Sequence, residues 1–308
     1  MAYNRRFFLK AAGMAAAGSL AWPLASCSNS GNSSEGGATA EGDSTTTAGP
    51  ATVAAASEFG IQLYSVRDLI GKDPKGVIKQ LAGLGYKKVE SYQGDQGVFW
   101  GMTPKEFKAY MDEVGMTAVS THADTTKDLE KLAGQAAEAG LSYVLQPYIG
   151  AQKSLDEWKR RAEEFNKRGE ICNRAGVRFG YHNHDYSFQT LDGQMPQQIL
   201  LDNTDPSLVM YELDLMWIVA AGVDPVEHMT KYAGRYELCH IKDLQREPKP
   251  HSVNLGQGII DFAKILQGAA DNGMKHYIVE QEEYPESVMA SMDQNAQYMK
   301  QLTGATKV

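Results

Sequence analysis

The sequence predicts a single (β/α)8 barrel. Three observations predict it: eight strand-like runs recur between residues 59 and 281, amphipathic stretches separate them, and a polar or ionisable residue closes every run. The runs are 59–64 (FGIQLY), 86–91 (YKKVES), 117–122 (TAVSTH), 142–148 (SYVLQPY), 177–183 (VRFGYHN), 208–214 (LVMYELD), 236–242 (YELCHIK) and 276–281 (HYIVEQ). Between them, stretches such as 74–83, 104–114, 127–139, 154–175, 260–272 and 286–302 carry apolar residues at three- and four-residue spacing, the signature of helices with one buried face. Gly83, Gly115, Gly140, Gly176 and Gly273 stand where those helices should end. No glycine-rich phosphate loop follows the first run, which argues against an open, doubly wound sheet.

The segment before the first run has a different character. Asn4-Arg5-Arg6-Phe7-Phe8-Leu9-Lys10 resembles a twin-arginine export signal, and an apolar run from Ala11 to Trp22 follows, too short to span a bilayer. Leu24-Ala25-Ser26-Cys27 resembles a lipobox, which implies cleavage before Cys27 and lipidation of that cysteine. Residues 27–57 are rich in Ser, Gly, Thr and Ala and offer little apolar surface to offset chain entropy, so they read as a tether. The expected organisation is therefore a signal at 1–26, a linker at 27–57 and a catalytic barrel at 58–308, about 250 residues being the usual size of that fold. The expected location is the cell envelope, on the periplasmic side, with the lipid on Cys27 as the one membrane attachment.

The net charge of −8 becomes −11 once a leader carrying Arg5, Arg6 and Lys10 and no acid is removed. A surface that acidic repels phosphate backbones and argues against a nucleic-acid partner. Beyond Cys27 only Cys172 and Cys239 remain, which is not a disulfide framework; both read as small buried hydrophobes.

Side chains two apart on a strand share a face. Leu238, His240 and Lys242 fall together, as do Met210, Glu212 and Asp214, then Gly180, His182 and His184, then Ile278, Glu280 and Glu282. The apolar partners of these sets must face the helices, so the polar sets face the barrel interior, and their last members converge on the carboxyl-end mouth where barrel enzymes work. The same rule brings Gln62, Tyr64, Glu90, His122 and Gln146 there from the first four strands. His182, Asp214, His240 and Glu280 form a mixed nitrogen and oxygen set that suits manganese, cobalt, zinc or iron better than calcium. Each residue has a structural alternative: a hydrogen-bonded histidine, a helix cap for Asp214, an ion pair with Lys242 for Glu280.

The domain also resembles the sugar phosphate isomerase/epimerase group of xylose isomerase-like TIM barrels. The resemblance rests on Gly60-Ile61-Gln62-Leu63-Tyr64-Ser65-Val66-Arg67, Tyr181-His182-Asn183-His184-Asp185, Glu212-Leu213-Asp214, His240-Ile241-Lys242-Asp243, Leu255-Gly256-Gln257-Gly258-Ile259-Ile260-Asp261 and Ile278-Val279-Glu280-Gln281. It implies one divalent ion, manganese before cobalt, zinc or magnesium, held by His182, Asp214, His240 and Glu280. The ketose epimerases of that group carry Glu where this chain has His182, and the Tyr-His-Asn-His run is closer to the inosose dehydratase branch.

A carbonyl polarised by such an ion makes its neighbouring C–H acidic. Glu280 and His184 are the candidate bases, and Lys242 or His122 the groups that would stabilise charge or give a proton to oxygen. Gln62, Tyr64, Glu90 and Gln146 are expected to bind substrate hydroxyls, and Trp100 or Trp217 to stack on a sugar face. The expected activity is isomerisation or epimerisation of an unphosphorylated sugar. The alternatives are dehydration or elimination from an oxidised glycoside, and carbohydrate capture without turnover. His228 and His276 are expected to be structural, Asp261 a helix cap and Asp243 a partner to the site.

Overall fold

The computed structural model describes residues 53–304. Arg5, Arg6, Cys27 and most of the expected linker lie outside the described residues. Packed structure starts before the expected boundary: Val53 and Ala56 are buried in the main core, and the Val53 N–H donates to Leu302 O at 3.1 Å.

Eight parallel strands close into a barrel in chain order: β1 (Gly60–Gln62), β2 (Lys88–Tyr92), β3 (Thr117–His122), β4 (Tyr143–Gln146), β5 (Arg178–His182), β6 (Val209–Asp214), β7 (Tyr236–Ile241) and β8 (His276–Val279). β8 pairs with β1, so no edge is left open. Every predicted run became a strand: Thr117–His122 matches its run in full, Lys88–Tyr92 ends one residue later than its run, and the others are shorter by one to three residues. The long predicted helices form at Pro74–Leu84, Pro104–Val114, Leu129–Glu138, Leu155–Arg174, Phe262–Asp271 and Val288–Leu302.

Local chemistry explains where these helices start and stop. The Asp73 carboxylate accepts from Gly76 N–H at 2.9 Å, and Thr103 and Glu106 form a reciprocal capping box ahead of Pro104. Gly83 does not end its helix as expected. It lies inside the last turn, and Gly85, at φ 104°, takes the left-handed conformation that ends the helix.

Three short helices were not anticipated, Arg67–Ile70, Pro196–Asp202 and Pro225–Lys231, and the helix that Asp214 was expected to be able to cap forms at Leu215–Ala220. Loop 243–261 after β7 also folds into a two-stranded hairpin, Asp243–Gln245 with His251–Val253.

The core has two parts. The larger lies between strands and helices and includes Ile61, Val89, Val144, Phe179, Leu213, Cys239 and Val279. The smaller, formed by Tyr143, Leu145, Met210 and Leu238, plugs the barrel itself. Gly180 makes room there: a Cβ at that position would lie 2.3 Å from Met210 Sδ, so the methionine would have to shift. Above the plug the interior turns polar. Cys172 and Cys239 are buried free thiols.

Candidate active site

The polar interior is built in two tiers that share one residue. In the upper tier, His182, Asp214, His240 and Glu280 each offer a ligand atom, and those atoms lie within 4.8 Å of one another. In the lower tier, Glu90, His122, Glu212 and the same His240 do so. Barrel closure makes this possible: Asp214 pairs with His240 across β6 and β7, and His182 with Glu212 across β5 and β6.

His240 joins the tiers through its two nitrogens. Nε2 faces down, 2.6 Å from Glu90 Oε1 and 3.3 Å from Glu212 Oε2. Nδ1 faces up, 3.0 Å from Glu280 Oε2 and 3.9 Å from Asp214 Oδ2. Glu90 is held in turn by Gln62 Nε2 at 2.8 Å and Ser120 Oγ at 2.6 Å, and Glu212 by His122 Nε2 at 2.7 Å. Burial opposes a charge on His240, but Glu212 and Glu280 outweigh it and hold its pKa well above the usual imidazole range. His122 is raised in the same way, against burial, by Glu90 and Glu212.

Whether the upper tier suits a divalent ion can be tested on its polar atoms. His182 Nε2 and Asp214 Oδ2 are buried and have no hydrogen-bond partner, and His240 Nδ1 faces only carboxylates of the same cluster, Glu280 Oε2 at 3.0 Å and Asp214 Oδ2 at 3.9 Å. Such orphans are rare inside proteins because each forfeits its hydration. Here two belong to one cluster. The His182 Nδ1–H donates to Pro147 O at 3.4 Å, which leaves the Nε2 lone pair facing Asp214 Oδ2 at 3.4 Å. Asp214 divides its labour: Oδ1 accepts from Trp217 N–H at 3.0 Å, capping the helix that follows, and Oδ2 stays with the cluster. Two imidazole nitrogens and two carboxylate oxygens drawn together, two of those atoms without a partner, fit a cation such as manganese or zinc.

Lys242 stands beside this set. Its Nζ is 3.2 Å from Glu280 Oε2 and 3.7 Å from Asp214 Oδ2, and it also bonds Glu282. Burial works against its charge, but Glu280, Glu282 and Asp214 prevail and keep it an ammonium. Glu280 is held well below the usual carboxylate range: burial would raise it, and Lys242 and His240 overcome that. The anticipated Glu280–Lys242 ion pair therefore exists alongside the ligand arrangement. His184 adjoins His182 with ring centroids 5.0 Å apart, and burial, His182 and Lys242 hold its pKa well below the usual range.

The four expected ligands, His184 and Lys242 are thus gathered in one place. Trp217 joins them, with Lys242 Nζ 5.4 Å from its ring centroid. Tyr64 stands at the rim, 36% exposed. Five other expectations need correction. Gln62 and Glu90 are wholly buried and bonded to each other, so they support His240 from below and do not meet substrate. Gln146 spends its carbonyl on Thr125, at 2.6 Å from Oγ1, and its amide on Tyr148 O at 2.8 Å, tying two loops together. Trp100 is buried against Tyr92 and donates to Ser91 Oγ at 3.1 Å. Asp243 does not reach the site either; its carboxylate accepts from Leu244, Gly256, Gly258 and Ile260 N–H groups and clasps the loop after β7. Asp261 caps its helix as expected, accepting from Lys264 N–H at 3.2 Å. His228 is buried and structural, bonded to Tyr236 Oη at 2.8 Å.

Glu212 was missed as a site residue. Its position on the interior face was legible, but its pairing with His122, ninety residues away in the chain, was not.

Comparison with known proteins settles the lineage. The model of the xylose isomerase-like TIM barrel family matches residues 78–302. The chain belongs to that family. A sugar phosphate isomerase/epimerase from Parabacteroides distasonis has a similar crystal structure, at 29% identity and a TM-score of 0.69, over 83% of this chain and 95% of that one. The inosose dehydratase of Clostridium perfringens is 30% identical over 147 residues, which are 42% of this chain. The match spans 49% of that relative, about half its length. The IOLI protein, solved with a bound zinc atom, shares the fold at 13% identity and a TM-score of 0.66. This chain has that family's barrel and, inside it, a buried acid and histidine cluster able to take a metal.

Proposed function

We propose that this protein is a divalent-metal-dependent enzyme that removes a proton from the carbon beside a carbonyl of an unphosphorylated sugar, and returns it to give an isomer or epimer. One observation carries the proposal. The unpartnered His182 Nε2 and Asp214 Oδ2 converge with His240 Nδ1 beside a carboxylate, Glu280, that Lys242 keeps ionised.

When bound by His182, Asp214, His240 and Glu280, a divalent cation would supply Lewis-acid polarisation of a substrate carbonyl. The rest of the chemistry falls to side chains. Glu280 is ionised and able to accept a proton from carbon at neutral pH. His184 is neutral at that pH, approaches from the β5 side and serves as the second base or its conjugate acid. Lys242, a permanent ammonium beside Glu280, would stabilise negative charge growing on a substrate oxygen or hand that oxygen a proton. Glu90 and Glu212 fix the ring of His240.

Two features favour an unphosphorylated substrate. Two cations of this region are already engaged: Lys242 by three carboxylates, and Arg67 by Glu282 O at 2.7 Å and Tyr284 Oη at 3.1 Å. The proposed export and lipidation at Cys27 would also place the enzyme away from the cytoplasmic pool of sugar phosphates.

Elimination is the second reading. Lys242 is placed to protonate a departing oxygen while Glu280 takes the proton, and the matched inosose dehydratases carry that reaction in their name. One experiment separates the outcomes. Metal-loaded protein is incubated in deuterated water with sugars and 3-keto-sugars, and products are read by mass spectrometry. A gain of about one mass unit with shifted retention indicates isomerisation, and a loss of about 18 indicates elimination of water. Intact, undeuterated sugar throughout, with binding retained, would overturn the enzymatic reading in favour of carbohydrate capture.

A further inference from the structure

Resting on the proposed carbohydrate site, we propose that Tyr148 provides a second ring-binding subsite, so that the substrate is a two-ring glycoside and not a free monosaccharide. Among the described residues, the large hydrophobic side chains left exposed are Tyr64, Tyr148 and Ile259, at 36%, 39% and 56%. Lone exposed apolar groups are ordinary. The location of these three is not: they stand on the loops that leave the carboxyl ends of β1, β4 and β7, all at the catalytic mouth.

The ring order of the barrel gives the two tyrosines distinct places. The four expected ligands occupy β6 and β7 and the ends of β5 and β8, and the flanking strands are β4 with Tyr148 and β1 with Tyr64. Each tyrosine therefore stands one strand beyond the metal-ligand arc. Tyr64 is already engaged, with the Arg67 guanidinium 4.7 Å over its ring and Tyr92 packed against it at 5.2 Å. Tyr148 packs edge-on against Tyr186, with ring centroids 5.5 Å apart, and continues the wall of the site. Its ring lies 5.2 Å from that of His184, which lies 5.9 Å from Trp217 and 5.0 Å from His182. Aromatic surface thus runs without a break from the ligand cluster to the solvent edge.

A second observation in the same wall points to a polar ligand. His184 Nδ1 and Trp217 Nε1 are unpartnered. Rings that offer apolar faces beside unmet hydrogen-bonding atoms suit a pyranose, which has an apolar C–H face and a hydroxyl rim. A substrate ring reacting over His182, Asp214, His240 and Glu280 would extend its glycosidic substituent along this wall toward Tyr148.

The test is calorimetric binding to manganese-loaded full-length protein of glucose, methyl glucoside and a panel of glucose disaccharides, with Tyr148→Ala and Tyr148→Phe beside the native chain. At least one disaccharide is expected to bind about five- to tenfold tighter than methyl glucoside. Y148F keeps that advantage and Y148A loses it, with unchanged thermal midpoints showing that both variants fold. Equal affinity across the panel, or an advantage that survives in Y148A, would sink the subsite. Discrimination without turnover leaves the subsite standing and counts against the enzymatic reading; turnover of free monosaccharides with no disaccharide advantage does the reverse.

Discussion

At the scale of single residues, His240 is the hinge of the site, because one imidazole serves the upper tier with Nδ1 and the lower tier with Nε2. Two carboxylates on Nε2 are more than a tautomer needs, and they fix the ring plane as well as the proton. Replacing Glu212 or Glu90 with Gln keeps the volume and weakens the acceptor. Each change is expected to lower manganese affinity about 10- to 100-fold while leaving the circular dichroism spectrum unchanged. The absorption spectrum of the cobalt-substituted protein should shift as well, a readout independent of turnover. Unaltered affinity in both variants would mean that the lower tier is mere packing. That His182, Asp214, His240 and Glu280 would meet at one end of the barrel was legible because strand periodicity and a polar strand end are local signals. The roles of Glu90, Gln62 and Gln146 were not, because what each bonds is set across the barrel: Glu90 meets His240 from 150 residues away.

At the scale of elements, the longest helix shows packing overruling propensity. Gly169 lies inside Leu155–Arg174, where alanine would ordinarily stabilise a helix by about 0.5–1 kcal/mol. A Cβ there would sit 2.7 Å from Leu208 O and 2.8 Å from Leu208 Cβ, and a backbone oxygen cannot swing aside. Gly169→Ala is therefore expected to destabilise by roughly 1–3 kcal/mol in urea unfolding, opposite in sign to the propensity. The same contrast explains which helices could be read from sequence. Those with one wet face, such as Pro104–Val114, show the three- and four-residue period. Pro196–Asp202 and Leu215–Ala220 are short and largely buried, so no polar stripe marks a period.

At the scale of the whole molecule, the upper tier exists only when the barrel is closed, since its four members come from β5 to β8 and their ends. Metal affinity should then appear as fold stability. At a free manganese concentration about 100 times Kd the linkage amounts to roughly 2.7 kcal/mol, which for a domain of this size raises Tm by about 5–10 °C. Chelation should reverse the rise, and H240A should abolish it; a rise that persists in H240A would place the ion elsewhere. Eight strands and their order were legible because each run repeats one local pattern, whereas the clasped hairpin after β7 depends on Asp243 gathering N–H groups up to seventeen residues away, beyond any local pattern. The bond from Val53 to Leu302 has a practical corollary. It brings both ends of the described chain together behind the barrel, on the side from which the strands start. Beads, dyes or fusion partners attached at either end would therefore leave the opening clear, and a circular permutant that joins these ends and opens a distant loop should keep the whole ring of strands.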